Sequence, residues 1–365
     1  MTEKLVSIFL PDLNIGGSEK VAITLAREFI QYGLRVDFVL VKAKGDLLQE
    51  VPTGANVVDL KASNFVTSLP ALVRYLKVSR PQTLLSFMDF SNVFAVLARI
   101  LARVQTRIVI RIPTTLSLNI TPWYKKVMGR ILFHFTYPLA DQIVSVSDGA
   151  AADLVEFAWI SESLIKTIYN PIITADLFLK AAEPADDPWF RPEEPPVIIA
   201  VGRLDPAKDY PTLLQAFARA NQTLPMRLII LGEGKERSRL EDQADQLGIS
   251  ESIRMPGFSS NPFAYLSKAQ AYVMSSAWEG LPGTLIQAMA CGCPVISTNC
   301  KSGPAEILNN GEFGHLVSVG DPEELADAIL DVLAENGRQV PVSWLEQFTA
   351  AKTINQYIEV VIPEP

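Results

Sequence analysis

Cysteine and histidine are nearly missing from this 365-residue chain, which has three cysteines (Cys291, Cys293, Cys300) and two histidines (His134, His315). A disulfide framework is therefore excluded in so long a sequence. Too few ligands remain for a zinc site, so Cys291 and Cys293 read as small apolar residues at a helix end. No run of about 18 uncharged apolar residues occurs, and no transmembrane helix is expected. The opening, MTEKLVSIFLPD, lacks the longer apolar segment and small-residue cleavage site of a signal peptide, which points to a cytoplasmic protein.

Acidic residues are also missing from one long stretch of the first half. None lies between Phe90 and Ala140, where Arg99, Arg103, Arg107, Arg111, Lys125, Lys126 and Arg130 supply seven positive charges. Trp123, Tyr124, Phe133 and Phe135 are interleaved with the later ones. A solvated helix face accounts for any single residue of this run. For the unbroken run, an anionic membrane surface is the expected partner, and nucleic acid is not. The two halves of the chain differ accordingly: residues 1–180 carry four more basic than acidic groups, and the remainder carries twelve more acidic than basic ones.

What is plentiful is apolar. Hydrophobic residues make up 48% and charged residues 20%, enough to bury two or three domain cores. Short apolar runs alternate with amphipathic helical patterns. LVSIFL (5–10), VDFVLV (36–41), TLLSFM (83–88), RIVIRI (107–112), IVSVS (143–147) and TIY (167–169) are separated by helical patterns from Ser18, near 68–78, near 91–103 and near 123–137. The stretch 181–196, AAEPADDPWFRPEEPP, is rich in proline and acid and reads as a linker. The alternation then restarts with VIIAV (197–201), RLIIL (227–231), SIRMP (252–256), AYVMS (271–275), PVIST (294–298) and GHLVSV (314–319). A helix is expected near 322–334, opened by Asp321-Pro322-Glu323-Glu324. The fold class is α/β, with two doubly wound Rossmann-like domains, 1–180 and 197–343, joined by the linker. Ligands bind outside the carboxyl ends of such strands, so an interdomain cleft is the expected site.

Four loops combine glycine with charge just after an expected strand. Gly16 and Gly17 open the first helix, where backbone N–H groups can meet an anion. Gly202-Arg203-Leu204-Asp205-Pro206-Ala207-Lys208 places two cations five residues apart, suited to one phosphate pair. Gly232-Glu233-Gly234-Lys235 is suited to the wall of a nucleotide pocket, and a plain glycine turn accounts for it equally well. In Trp278-Glu279-Gly280-Leu281-Pro282-Gly283-Thr284-Leu285, the N–H groups of Gly283, Thr284 and Leu285 start a helix and face a phosphate. Glu279 suits a ligand's hydroxyl groups, as does Gln287 one turn into the helix. The ligand these groups suggest is part diphosphate, part sugar.

These loops, together with Ser302-Gly303-Pro304-Ala305-Glu306-Ile307-Leu308 and the runs SFMDFSN, PLADQIVSVSDG and YNP, resemble the retaining glycosyltransferases of family 4, whose two-Rossmann-domain architecture is called GT-B. The similarity is to members that extend undecaprenyl-diphosphate-linked oligosaccharides with hexoses or hexosamines. The resemblance implies that Arg203 and Lys208 clamp the nucleotide diphosphate, and that Glu279 contacts the donor sugar's hydroxyls. Backbone at Gly283–Leu285 would meet the distal phosphate, and Gly202 and Gly232 would line the nucleotide pocket. Gly257 and Phe258 would edge the base, and Gly16 and Gly17 would border the donor phosphates and acceptor. The segment 344–365 would cross back to the first domain.

The implied donor is a nucleotide-sugar, with UDP as the expected nucleotide, and the implied acceptor is a lipid-linked saccharide at the inner face of the cytoplasmic membrane. No metal ligands and no essential cofactor are expected. In two places the chain departs from the family pattern. Gln287 stands where the E-x(7)-E motif has its second glutamate, and RIPTTLS (111–117) carries no histidine. Gln287 leaves open a second reading, a nucleotide-sugar-binding partner with impaired or no transferase activity.

Overall fold

The structure is a computed structural model and describes residues 4–119, 123–185, 187–335, 337–338 and 340–363. Residues 1–3 of the opening segment, 120–122 of the basic stretch, 186 of the acidic proline-rich stretch and 364–365 of the terminal segment lie outside the described residues. The chain divides into two compact units, Met1–Pro171 with Ala350–Pro365, and Ile172–Thr349.

The first unit is built on β1 (Leu5–Leu10), β2 (Arg35–Leu40), β3 (Ala55–Asp59), β4 (Thr83–Phe87), β5 (Arg107–Ile112), β6 (Gln142–Ser145) and β7 (Ile165–Thr167). Its helices are α1 (Gly17–Gln31), α2 (Phe65–Ser79), α3 (Asp89–Ala102), α4 (Leu116–Asn119), α5 (Trp123–Thr136) and α6 (Asp148–Ala158). The strands run parallel in the order β3-β2-β1-β4-β5-β6-β7. Near-continuous apolar strands suit this arrangement, because helices cover both faces. Along β1, Val6, Ile8 and Leu10 enter one core and Phe9 enters the other, as the two-residue period of a strand requires.

The second unit contains β8 (Val197–Val201), β9 (Arg227–Leu231), β10 (Ile253–Gly257), β11 (Ala271–Met274), β12 (Val295–Thr298) and β13 (His315–Val317). These alternate with α7 (Ala175–Ala181), α8 (Tyr210–Thr223), α9 (Arg237–Gln246), α10 (Pro262–Leu266), α11 (Gly283–Ala290), α12 (Pro304–Ile307), α13 (Pro322–Glu335) and α14 (Val342–Leu345). Its sheet is parallel in the order β10-β9-β8-β11-β12-β13, the same doubly wound order as the first. At the start of α13, Asp321 Oδ1 accepts the N–H groups of Glu323 and Glu324, both at 3.0 Å, as its spacing predicts.

The linker falls elsewhere than composition suggests. Residues 181–196 belong to the second unit, and the chain crosses between Pro171 and Ile172. Trp189 is buried, with the Arg254 guanidinium 4.1 Å and that of Arg227 4.9 Å from its ring centroid. Asp187 binds Arg254 at 2.8 Å. One aromatic side chain, on a single 3-10 turn over Pro188–Phe190, thus fastens a stretch whose prolines discourage longer helices and strands but not packing. The return crossing lies between Thr349 and Ala350, not at 344. Trp344 stays in the second unit, its indole N–H donating to Ile307 O at 2.8 Å. The last helix, α15 (Ala350–Val361), packs Tyr357 and Val361 into the first unit's core. Its final carbonyls are capped by Thr83 Oγ1 on Val361 O (2.5 Å) and Arg107 Nε on Val360 O (2.9 Å).

Candidate active site

In the second unit the strand order reverses between β8 and β11, and that switch point is where such folds bind ligands. The loop after β8 brings Lys208 there and the loop after β11 brings Glu279. Lys208 Nζ lies 2.5 Å from Glu279 Oε1, with only 20% and 14% of the two side chains exposed. Ser276 Oγ donates to the same carboxylate oxygen at 2.7 Å. Backbone bonds hold the loops together: Ala277 N–H donates to Ala207 O, and Ser275 Oγ to Lys208 O, both at 2.8 Å.

A second layer fixes the loop after β11 from below. Thr298 Oγ1 donates to Ser276 O (2.6 Å) and Ser302 Oγ to Gly280 O (2.8 Å). Gly303, at φ +94°, lies so close to Pro282 that a side chain would collide with its ring. Helix α11 follows Pro282. The N–H groups of Gly283 and Thr284 have no protein acceptor among the described residues, which leaves two donors at the positive helix end. Leu285 departs from expectation. Its side chain is fully buried and its N–H donates to Pro282 O at 3.1 Å, because the first turn tightens, so it is not available to a phosphate. Buried Tyr272 meets Thr284 Oγ1 at 2.8 Å, and burial pushes its phenol well above the ordinary range.

Arg203 is not drawn into this cluster. Its side chain is 81% exposed and leans on Asp205 at 3.4 Å, so the two expected clamp cations have different partners. Gly202 and Gly232 do stand together at the ends of β8 and β9. The N–H of Gly202 donates to Leu231 O (3.0 Å) and that of Gly232 to Gly257 O (2.9 Å). A Cβ on Gly232 would strike the Gly202 carbonyl, so this close approach demands glycine. Phe258 is exposed beyond Gly257. Glu233 is bound by Arg237 at 2.5 Å, which holds its carboxyl below the usual range. Gln287 is half-buried on α11, and its side chain has no hydrogen bond among the described residues.

Burial raises all three thiols, Cys291 to about 11 and Cys300 to about 12, the latter also through the charge of Glu279. Among the described residues no group of three or more His, Cys, Asp or Glu is placed to hold a metal ion.

In the first unit, Gly16 caps α1 in an extended conformation, and the buried carboxylate of Glu19 folds back against it. This helix end, with Gly16 and Gly17, therefore carries an anion of its own. The basic stretch Arg99–Arg130 does not form one surface. Arg111 is buried, Arg107 binds Val360 O, and Arg99 is paired with Asp141 at 2.5 Å. Arg103 stays exposed at the end of α3, and the larger exposed part is α5: Trp123, Tyr124, Val127, Met128, Ile131 and Phe135 are exposed, beside Lys125, Lys126 and Arg130. Gly129, Phe133 and Thr136 turn the opposite face of α5 inward.

Comparison with known proteins decides the family. Residues 15–176 match the family model described as Glycosyltransferase Family 4, and residues 183–344 match that of Glycosyl transferases group 1. The chain is 30% identical over 343 residues to a Campylobacter jejuni N-acetylgalactosamine-N,N'-diacetylbacillosaminyl-diphospho-undecaprenol 4-alpha-N-acetylgalactosaminyltransferase, covering 91% of this chain and 90% of that one. The chain belongs to glycosyltransferase family 4.

The glycosyltransferase fold has solved counterparts. The apo form of the lipopolysaccharide outer core galactosyltransferase WaaB superposes with a TM-score of 0.76 at 21% identity, over 98% of this chain and 99% of that one. Anabaena HepE in complex with UDP-glucose superposes with a TM-score of 0.78 at 18% identity, over the same shares. The architecture is thus GT-B. Within it, sequence reasoning missed the glycosyltransferase's Ser276, Thr298 and Tyr272. Only the SGPAEIL motif signalled the Ser302 and Gly303 brace.

Proposed function

We propose that this glycosyltransferase moves a hexose or N-acetylhexosamine from a UDP-sugar to a lipid-linked saccharide, with retention of anomeric configuration and without an essential divalent ion. The observation that carries this reading is the juxtaposition of Lys208, Glu279 and the N-terminus of α11 at the β8/β11 switch point. Lys208 and the Gly283 and Thr284 N–H groups stabilise the departing diphosphate, with exposed Arg203 free to swing onto it. Glu279 accepts hydrogen bonds from the sugar hydroxyls, and Gln287 from the ribose.

The acceptor oxygen attacks the anomeric carbon from the face that the nucleotide leaves. The bond from that carbon to the phosphate oxygen breaks, and the same phosphate oxygen takes the acceptor's proton. No protein base is required, and catalysis rests on placement and charge stabilisation. The lipid-linked acceptor is supported by the diphospho-undecaprenol-linked activity in the name of the Campylobacter relative, and the UDP donor by the UDP-glucose bound to HepE.

Helix α5 supports attachment to the inner face of the cytoplasmic membrane. Its exposed aromatics and aliphatics suit the acyl boundary, and Lys125 and Lys126 suit anionic head groups. Among the described residues no helix is long and apolar enough to cross a membrane.

The test is nucleotide release from UDP-, GDP- and ADP-sugars with bacterial lipid-linked acceptors, with and without a chelator. UDP release that depends on acceptor and survives chelation is expected. Activity abolished by chelation and restored by magnesium or manganese overturns the metal-independent reading. UDP binding without turnover across the panel favours a nucleotide-sugar-binding partner instead, the reading that Gln287 motivates.

A further inference from the structure

Arg111 is the penultimate residue of β5, and its side chain is 1% exposed. Its guanidinium carbon lies 5.0 Å from the centroid of the Phe87 ring. Nε–H donates to Tyr357 Oη at 3.1 Å, and Nη2 donates to Asn170 Oδ1. Among the described residues, buried Nη1 has no hydrogen-bond partner and no carboxylate pairs with this arginine. Thr353 Oγ1, one helical turn before Tyr357 on α15, is also buried without a hydrogen-bond partner among the described residues.

A guanidinium stays charged at every accessible pH. Burying it without a counter-ion is unfavourable, and an apolar side chain of similar volume would serve the core as well or better. Its contacts show what the charge does instead. Asn170 is the penultimate residue of the first unit before the chain crosses, and Tyr357 belongs to the helix formed when the chain returns. On the far side of both crossings, in the second unit, the N–H groups of Ile172 and Ile173 both bond to Phe348 O, at 3.1 and 3.0 Å.

We propose that Arg111 is a positioning residue that fixes both chain crossings to the carboxyl edge of β5. Both crossings are thereby held at the strand ends, where folds of this kind bind ligands. Only the kinetic arm of the test below rests on the donor reading given above.

The test is Arg111→Met in the full chain. Amide exchange in segments 168–174 and 348–358 should accelerate tenfold or more, while β1 and β4 exchange as in the wild type. The melting temperature should hold or rise, since an uncompensated buried charge has been removed. With a UDP-sugar, kcat should fall tenfold or more at unchanged donor KM and unchanged UDP affinity. Arg111→Lys, which keeps the charge without the fork, should recover part of both losses. Wild-type exchange in both crossing segments overturns the proposal, and so does faster exchange throughout the first unit with a lowered melting temperature. Should Arg111→Met not fold, Asn170→Ala must reproduce faster exchange confined to 168–174, and wild-type exchange there overturns it. A wild-type enzyme that turns over no nucleotide-sugar refutes the donor reading and leaves the exchange result to decide this one.

Discussion

Breaking the Lys208–Glu279 pair should separate its structural from its catalytic share. At 2.5 Å and an effective dielectric constant near 20, the Coulomb attraction is about 6–7 kcal/mol. Both groups are mostly withdrawn from water, and that desolvation offsets most of it, leaving a coupling of about 2–3 kcal/mol. Lys208→Met and Glu279→Gln should each destabilise the second unit by about 2–3 kcal/mol, because each strands the other partner. The double variant should cost about 2–3 kcal/mol less than the two singles together. Urea unfolding followed by tryptophan fluorescence reads this out, since Trp189, Trp278 and Trp344 all lie in the second unit. Single effects that add to within about 0.5 kcal/mol would refute the coupling.

Function gives the second readout. Lys208→Met should lower kcat/KM by about 10²–10³ and weaken UDP binding, as expected for a lost leaving-group contact. Glu279→Gln should lower turnover while UDP binds as tightly as before or tighter, because Lys208 is released to the phosphates. Equal weakening of UDP binding in both variants would show that the carboxylate does not face the sugar.

Trp189→Ala should destabilise the second unit by about 3–4 kcal/mol and open residues 183–196 to protease, by loss of a buried aromatic and its cationic neighbours. Gln287→Glu should tighten nucleotide binding, measured by calorimetry, and an unchanged affinity would remove the residue from the ribose site. Lys125→Glu with Lys126→Glu should reduce flotation with anionic vesicles about 30-fold or more, at about 1 kcal/mol for each surface-near charge, and salt should reduce it likewise. Raising pH from 9 toward 12 should destabilise the fold, because Cys291 and Cys300 ionise in the unfolded chain before they can in the native one. Cys300→Ala should flatten that slope, and an unchanged slope would deny the burial effect.

Several elements escape a reading of local pattern. Strand β3 (ANVVD) carries no strand signal, because it lies at a sheet edge and is half-exposed, without an apolar run. Helix α6 (DGAAADLVEFA) is equally hard to read, since its alanines blur the apolar stripe. Its start is fixed by Ser147, whose side chain accepts the N–H of Ala150 at 3.1 Å. The proline-rich segment misled for the converse reason: composition reports what backbone structure is denied, and cannot report that Trp189 will find two arginines to pack against.

By itself, the sequence determined the two doubly wound units, the strand-end loops that carry glycine and charge, and the cap of α13, because each is decided within one strand, turn or helix. Tertiary structure alone decided which charges meet. Lys208 and Glu279 stand 71 residues apart and become neighbours only because β11 lies beside β8. Within one basic stretch, Arg111 is taken into a core while α5 is left at the surface. Sequence spacing carries no record of that difference, because burial depends on which strand and which returning helix come to lie against a residue.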